Sequence, residues 1–266
     1  EAGRDLFRTH SDQMNPAVEP ALQKAADLFA RARHAVAFTG AGFSTPSGIP
    51  DFRSQSTGLW TRFDPMQVAS LSAFRQRPEA FFNWLRPLVS AVSAAQPNPA
   101  HQALAELEKR GLLRAVITQN IDGLHQKAGS QTVIEVHGSL NQWDCPSCRA
   151  AFTADEALGS FLPDGPPPRC PRCDVRLKPG IVLYEEMLPP KAWQAAESAC
   201  RRADLVLIAG TSLEVAPASY LPTYALENRA RLILVNLSPT PLDPQADVCL
   251  PMDVAQALPA LVERLG

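Results

Sequence analysis

Four cysteines in two closely spaced pairs are the first residues whose spacing suggests chemistry. Cys145 and Cys148 form one Cys-x-x-Cys pair, and Cys170 and Cys173 form the other. Two such pairs can present four thiolates as a tetrahedron at the distances that zinc prefers, which predicts one bound zinc ion. Sulfur in all four positions leaves none open for water or substrate, so we expect a structural metal. Two unrelated pairs or a redox dithiol are the alternatives.

A glycine-rich segment at residues 39–53 is the second candidate. It follows an apolar run at 35–38 that predicts a buried strand. A Cβ at Gly40 or Gly42 would hold a ligand off, so the backbone can approach one closely there. Backbone N–H groups in such a turn suit a phosphate. The third glycine of the dinucleotide-binding fingerprint is missing, and a simple tight turn is the alternative.

Polar side chains also follow two later predicted strands. The strand at 113–118 leads into Asn120 and Asp122, and the strand at 132–136 ends at His137. An open α/β sheet keeps its ligand groups at the carboxyl ends of its strands. A histidine before a glycine is, by itself, more often structural. With Asn120 and Asp122 at a similar strand end, a functional role is favoured for His137.

The elements that must position these residues alternate between strand and helix. Near-continuous apolar strands with helices between them predict an α/β fold with a parallel sheet covered on both faces. Pro65, Pro78 and Pro87 are expected to cut an aromatic-rich segment beside the glycine loop into short helices. The predicted strands are 35–38, 113–118, 132–136, 204–209, 231–235 and 248–250, and the predicted helices include 20–33, 99–109 and 254–265.

Composition limits the class of protein. The chain has 266 residues, of which 45% are hydrophobic and 20% charged, and a net charge of −2. This charge argues against a broad electrostatic grip on nucleic acid. No apolar run approaches the roughly 20 residues of a membrane span. Residues 1–19 are expected to be a disordered extension that lacks the apolar core of a secretory signal, with Met14 as a potential internal start.

The cysteine count favours a reducing compartment. Six cysteines occur as the two tight pairs plus Cys200 and Cys249, a pattern that suits a metal better than a disulfide framework. We therefore expect a cytoplasmic protein. Cys200 and Cys249 fall in a helix-like and a strand-like context and are predicted to be buried.

Taken together, the motifs resemble those of the sirtuins, which are NAD-dependent protein-lysine deacylases. The resemblance covers about residue 20 to the end of the chain and is greatest with bacterial sirtuins that deacetylate proteins. The motifs that carry it are GAG at 40–42, SGIPDFR at 47–53, TQNID at 118–122, VHG at 136–138, the four cysteines, GTS at 210–212 and VN at 235–236.

The resemblance implies a Rossmann-like parallel sheet with two insertions. The NAD-binding domain would consist of residues 20–53, 97–138 and 181–266. Residues 54–96 would form a helical insertion with the cofactor-binding loop, and residues 139–180 a small zinc-ribbon domain. The residues implied to contact NAD are Gly40, Ala41, Gly42, Ser44, Asp51, Phe52, Arg53, Gln119, Asn120, Ile121, Asp122, Gly210, Thr211, Ser212, Asn236, Leu237, Asp253 and Val254.

The implied reaction removes an acyl group from a lysine and yields nicotinamide, O-acyl-ADP-ribose and free lysine. The implied catalytic residues are His137, Asn120 and Asp122, with His137 as general base on a ribose hydroxyl. An acyl-lysine peptide would lie as a strand between residues 211–215 and a second segment. That segment contains Val182, Leu183, Tyr184 and Glu185.

Two positions bear on specificity. The family usually has glycine where this chain has Glu185, and a carboxylate there would change the peptide edge or favour basic substrates. Sirtuins that accept succinyl groups carry a tyrosine and an arginine where Phe82 and Leu85 stand here. The resemblance therefore predicts that the enzyme acts on acetyl or longer neutral acyl groups.

Three other functions stay open at this point. The same fold could hydrolyse NAD or transfer ADP-ribose to a protein. A hydride-transferring dehydrogenase follows from the fold alone, although the missing glycine fingerprint disfavours it. A non-catalytic NAD-binding module is the third. The sequence predicts no oligomeric state.

Overall fold

The computed structural model describes residues 18–52 and 58–266. Those residues form nine strands: β1 (Ala35–Thr39), β2 (Ala115–Thr118), β3 (Val133–Glu135), β4 (Gly138–Asp144), β5 (Ala151–Thr153), β6 (Lys178–Ile181), β7 (Leu205–Ala209), β8 (Arg231–Val235) and β9 (Val248–Leu250). Six of them make a parallel sheet in the order β3-β2-β1-β7-β8-β9. The predicted α/β fold class is confirmed.

The described residues also form ten α-helices, some of which cover both faces of this sheet. The helices are α1 (Glu19–Arg31), α2 (Pro65–Val68), α3 (Leu71–Gln76), α4 (Pro78–Ala94), α5 (Pro99–Lys109), α6 (Leu124–Ala128), α7 (Ala154–Leu158), α8 (Pro190–Arg202), α9 (Leu221–Glu227) and α10 (Val254–Arg264). Apolar side chains of α1, α5 and α10 pack on one face, and those of α8 and α9 on the other. Burial on both faces explains why β1 and β7 contain only buried residues.

The strand order places a crevice between β1 and β7. The chain runs from β1 outward to β2 and β3, and later returns to the other side of β1 to form β7, β8 and β9. The two directions diverge between β1 and β7, so the loops that leave their carboxyl ends separate. Open α/β sheets bind ligands at such a switch point. The sequence GAG at 40–42 leaves β1 here, and GTS at 210–212 leaves β7.

A second lobe lies over that crevice. It contains the antiparallel sheet β5-β4-β6 and the helices α2, α3, α4 and α7. Phe81 and Phe82 of α4 share one apolar cluster with Trp143 and Phe161 from the cysteine-containing part. The Arg86 guanidinium also lies over the Phe161 ring, 4.0 Å from its centroid. The helical and the cysteine-rich segments therefore pack as one unit, called here the small lobe.

Two sequence predictions about single residues are wrong. Pro87 does not end a helix, because α4 continues through it from residue 78 to 94. The buried side chains of Leu85, Leu88 and Val89 flank the proline and offset the hydrogen bond that its ring removes. Cys249 is exposed, since it faces outward between the buried Val248 and Leu250 on strand β9.

Some predictions lie outside the described residues. These are residues 1–17 of the extension proposed for residues 1–19, and the role of Arg53; of the two other residues, Val18 caps α1 and Glu19 begins it. Within residues 18–52 and 58–266, no helix combines the length and the apolar character needed to cross a bilayer.

Candidate active site

A cleft of about 1480 Å³ lies between the carboxyl ends of the large sheet and the small lobe. Every residue predicted to contact NAD lines this cleft, apart from Arg53, which the structure does not describe, and so do Val182, Leu183, Tyr184 and Glu185. His137 lies in the same lining. Residues far apart in the chain are thus brought into one cavity by the parallel sheet.

The glycines at the switch point have a structural reason in addition to the close ligand approach that the sequence predicts. A Cβ on Gly40 would lie 2.7 Å from Thr211 Cβ, and a Cβ on Gly42 would lie 3.0 Å from the Gly210 carbonyl oxygen. Gly210 has a φ of 62°, and a Cβ there would lie 2.3 Å from the Phe43 nitrogen. The small residues are therefore needed because the loops after β1 and β7 pack against each other. This contact fixes both turns in place.

The segment after β1 forms two single 3-10 turns, at Ala41–Phe43 and Thr45–Ser47, instead of an α-helix. The loop that follows β2 also holds this segment in place. Gln119 Nε2 donates to Thr211 Oγ1 at 3.0 Å, and the Gln119 amide donates to the Thr39 carbonyl at 3.0 Å. The ends of β1, β2 and β7 are thereby tied together.

Ser44 lies at the centre of a buried polar network. Its Oγ donates to Asp122 Oδ2 at 2.7 Å and accepts from Asn120 Nδ2 at 3.0 Å. Asp122 Oδ1 also accepts from the Leu124 amide at 2.9 Å. Burial raises the pKa of Asp122, and these hydrogen bonds partly offset that effect. The network fixes the amide of Asn120 and the carboxyl group of Asp122 at the cleft.

Two further histidines lie directly beneath this network, a feature that the sequence did not reveal. His101 Nε2 lies 3.5 Å from Ser44 Oγ, and His125 Nε2 lies 2.9 Å from Thr39 Oγ1. The two imidazole rings are 4.8 Å apart between centroids. Burial lowers the pKa of His101 to about 3 and that of His125 well below its usual range. Both rings are therefore neutral at pH 7.

We call this group the cleft floor: Thr39, Ser44, His101, Thr118, Asn120, Asp122 and His125. Its lower layer continues from Thr39 Oγ1 to Thr118 Oγ1 at 2.8 Å, and Thr118 Oγ1 accepts from the Asn120 amide at 3.0 Å. The signal in the sequence was weak: a threonine ends each of two apolar strands, and a histidine stands at the start of α5. Only packing brings these residues together.

His137 occupies a different position, between the ends of β3 and β4 at the cleft wall. Its Nδ1 lies 3.1 Å from the Gln119 carbonyl oxygen. A carbonyl can only accept, so Nδ1 carries the hydrogen and Nε2 carries the lone pair in the neutral ring. The His137 carbonyl in turn accepts from the Val182 amide at 2.8 Å. This tautomer suits proton abstraction.

The predicted peptide-binding segment, residues 182–185, begins beside His137 and also lines the cleft. Tyr184 pairs through its backbone with the junction of α2 and α3, since its amide donates to the Ala69 carbonyl at 3.1 Å and its carbonyl accepts from the Leu71 amide at 3.0 Å. The Tyr184 ring packs edge-on against Trp60, which stacks on Trp84. Val182, Leu183 and Glu185 line the cleft beside it.

The apolar end of the cleft differs in detail from the prediction. Phe82 and Leu85 are buried in the small-lobe core and do not line the cleft. Trp84, Leu88 and Val92 line it instead. They recur every four residues of α4 and thus share one face of that helix. The cleft is thus lined by apolar residues of α4 other than Phe82 and Leu85.

The four cysteines converge in the small lobe. Their Sγ atoms all lie within 4.8 Å of one another, with 3.3 Å between Cys145 and Cys173 and 3.6 Å between Cys148 and Cys170. A tetrahedral zinc site has sulfurs about 3.8 Å apart. The Cys148 amide donates to Cys145 Sγ and lowers the pKa of that thiol to about 6. The site fits a structural zinc ion.

The fold and the cleft define a Rossmann-like nucleotide-binding protein with a zinc-binding module. A model of the Sir2 family matches residues 40–217. NAD-dependent protein deacylase 2 of Archaeoglobus fulgidus is 43% identical over 249 residues, which are 93% of this chain and 97% of that protein. NAD-dependent protein deacetylase 1 of Geobacillus kaustophilus is 42% identical over 238 residues, which are 89% of this chain and 96% of that protein.

Solved structures agree with these relatives. A structure of Sir2 with a p53 peptide and NAD+ has a TM-score of 0.83 at 37% identity and covers 91% of this chain and 97% of its own. A mutant Sir2 homologue in complex with ADP-ribose has a TM-score of 0.86 at 41% identity and covers 91% and 95%. The chain belongs to the Sir2 family, and the predicted resemblance is confirmed.

Proposed function

We propose that this chain is an NAD-dependent protein-lysine deacylase that converts NAD, an acyl-lysine and water to nicotinamide, O-acyl-ADP-ribose and free lysine. One observation carries the proposal: His137, the Asn120–Asp122 pair and the predicted peptide-binding segment line one cleft at the switch point of the sheet. The names of the relatives support it, since they are NAD-dependent protein deacylases and deacetylases.

NAD fits the cleft from one end to the other. Gly40, Gly42 and Gly210 form a narrow backbone turn suited to a pyrophosphate. The Leu237 side chain is 71% exposed at the cleft wall, as expected of a residue that a ligand covers. Asp253 already caps α10 through the Ala255 amide, so we assign it a positioning role near the adenosine end.

The reactive end lies over the cleft floor. Bound NAD would supply the ribose carbon that accepts the acyl oxygen, and nicotinamide as leaving group. Asp122 and Asn120 would hold the carboxamide and the ribose, since Ser44 fixes both side chains. His137 Nε2 would accept the proton of a ribose hydroxyl, while the Gln119 carbonyl holds its ring in the required tautomer.

The partner is a protein or peptide that carries an acylated lysine. Its backbone would lie between residues 182–185 and 211–215, both of which contribute to the cleft wall. The lining residues that face the acyl group include Trp84, Leu88 and Val92. Because these are apolar, we propose a neutral acyl group. We propose that neither nucleic acid nor a membrane takes a direct part in the reaction. We also propose a cytoplasmic location and keep the domain boundaries predicted from the sequence.

Product analysis tests the function. The purified protein is mixed with NAD and an acetyl-lysine peptide, and nicotinamide, peptide mass and the ADP-ribose product are measured. Deacylated peptide with an equal amount of O-acetyl-ADP-ribose supports the proposal. Free ADP-ribose with unchanged peptide would identify an NAD hydrolase, ADP-ribose attached to the peptide a transferase, and NADH a dehydrogenase. Each of these would overturn it.

Zinc binding has its own test. Cys170→Ser removes one thiolate of the tetrahedron, and Cys249→Ser is the matched control because Cys249 is exposed and distant in the chain from the four. We expect one zinc per chain in the control and loss of zinc with partial unfolding of the small lobe in Cys170→Ser. Equal zinc content in both variants would contradict the assignment.

A further inference from the structure

Glu185 adopts a backbone conformation that is unusual for its residue type. Its φ is 74°, in the left-handed region that non-glycine residues rarely adopt. A glycine, which has no Cβ, would enter that region without strain. Something in this chain must therefore compensate for the strain of a side chain here.

The Glu185 carboxylate supplies that compensation. Oε2 accepts a hydrogen bond from the Ser72 amide at 2.8 Å, within the first turn of α3. The first three amides of α3 are all satisfied: Leu71 by the Tyr184 carbonyl at 3.0 Å, Ser72 by Glu185, and Ala73 by Ser70 Oγ at 3.0 Å. Two of the three acceptors come from the peptide-binding segment, so this segment acts as a cap for the helix.

The next residue fixes the segment from the other side. Glu186 Oε2 accepts from the Leu183 amide at 2.9 Å and pairs with Lys178 Nζ at 2.9 Å on β6. Residues 183–186 are therefore held between β6 and the helical part of the small lobe. The α3 helix packs on α4, whose Trp84 and Leu88 line the cleft. The contact at Glu185 thus connects the peptide-binding segment, through α3, to the face of α4 that lines the cleft.

We propose that Glu185 is a positioning residue that sets the peptide-binding edge of the cleft by capping α3. The inference rests on the proposed deacylase function and assigns to this chain's own residue a role that a glycine cannot fill. The carboxylate acts as a hydrogen-bond acceptor for Ser72. The alternative, a free negative charge that attracts basic peptides, predicts a different response to substitution.

Three substitutions separate these roles: Glu185→Gln, Glu185→Ala and Glu185→Gly. Gln keeps an acceptor without the charge, Ala loses the acceptor and keeps the backbone strain, and Gly loses the acceptor and relieves the strain. We expect KM for the peptide to rise about fivefold in the Ala and Gly variants, the size of a lost helix cap, and less than twofold in Gln. KM for NAD and kcat should change less than twofold. Arg229→Gly, at another left-handed residue in the turn after α9, is the control for strain relief and should leave every constant unchanged.

Amide hydrogen exchange tests the contact without reference to activity. The Ser72 amide should exchange at least about fivefold faster in Glu185→Ala than in the wild type, because its acceptor is lost. The Ala73 amide, capped by Ser70, is the internal control and should change much less. If the wild type shows this protection but deacylates no peptide, the proposed function fails while the contact stands.

Two results would overturn the proposal. If Gln raised the peptide KM as much as Ala, and the effect depended on the charge of the peptide, Glu185 would act through its charge. If Ser72 exchanged faster in the Ala variant while KM for the peptide stayed unchanged, the cap would be structural only.

Discussion

The cleft contains histidines in two contrasting regions. In the cleft floor, His101 and His125 are fully enclosed and hydrogen-bond to Ser44 and Thr39. At the cleft wall, His137 is only half-buried, and a backbone carbonyl holds one of its nitrogens. Burial keeps the floor imidazoles neutral, so they act as hydrogen-bonding spacers. His137 borders the cleft, and we propose that it accepts a proton there from the bound ligand.

Substitution of His137 has the largest expected effect and distinguishes the cleft wall from the cleft floor most directly. His137→Ala should lower kcat for deacylation at least about 100-fold, because proton abstraction by a positioned base contributes that much. The melting temperature should stay within a few degrees of the wild type, since His137 is not part of an apolar core. Peptide mass spectrometry and thermal unfolding measure the two quantities. Activity within tenfold of the wild type would show that His137 is not the base.

Ser44→Ala should lower both kcat/KM and the free energy of unfolding. The substitution removes the hydrogen bonds to Asp122 and Asn120. A lost bond to a charged group costs about 1.5–3 kcal/mol, which corresponds to a fall in kcat/KM of roughly 10- to 100-fold. Steady-state kinetics and urea unfolding would measure both effects. Unchanged kinetics with lower stability would show that the cleft floor supports the fold and not the reacting groups.

His101→Gln addresses the buried region through pH. The folded-state pKa of His101 is lowered to about 3, whereas the unfolded imidazole has a pKa near 6.5. The contribution of the neutral His101 ring to the free energy of unfolding is therefore fully present above pH 6.5. It is lost as the pH falls toward 3, by up to about 1.4 kcal/mol per pH unit. The free energy of unfolding, measured with urea at several pH values between 7 and 4, should depend less steeply on pH in the variant. Equal slopes would mean that His101 does not stay neutral in the folded state.

The smallest effect is expected at the lower layer of the cleft floor. Thr39→Val keeps the shape of the side chain but removes the hydroxyl shared by Thr118 and His125. The loss should lower the free energy of unfolding by about 1–3 kcal/mol and change kcat less than Ser44→Ala does. Thr45→Val, at a solvent-exposed hydroxyl, is the control and should be close to neutral. If both threonine variants unfold alike, the buried layer is not a stabilising network.

Sequence patterns predicted the six strands of the parallel sheet and the helices α1, α5 and α10. Continuous apolar runs such as 205–209 and 232–235 indicate burial on both faces, and the structure contains them within β7 and β8. Pro87 shows the limit, because a proline's local penalty is overridden when the residues around it are buried. Cys249 shows another, since the face of an edge strand depends on its register.

The sequence by itself determined the types of chemical group available: four thiolates in two pairs, the polar strand ends, and an imidazole before Gly138. Their spacing along the chain restricts the chemistry, because ligand type and reach are local properties. Only the tertiary structure decided which groups meet. It placed His101 and His125 under Ser44, turned Trp84 instead of Phe82 toward the cleft, and engaged Glu185 with α3. These contacts join residues that are distant in the chain, and packing, not local propensity, selects them.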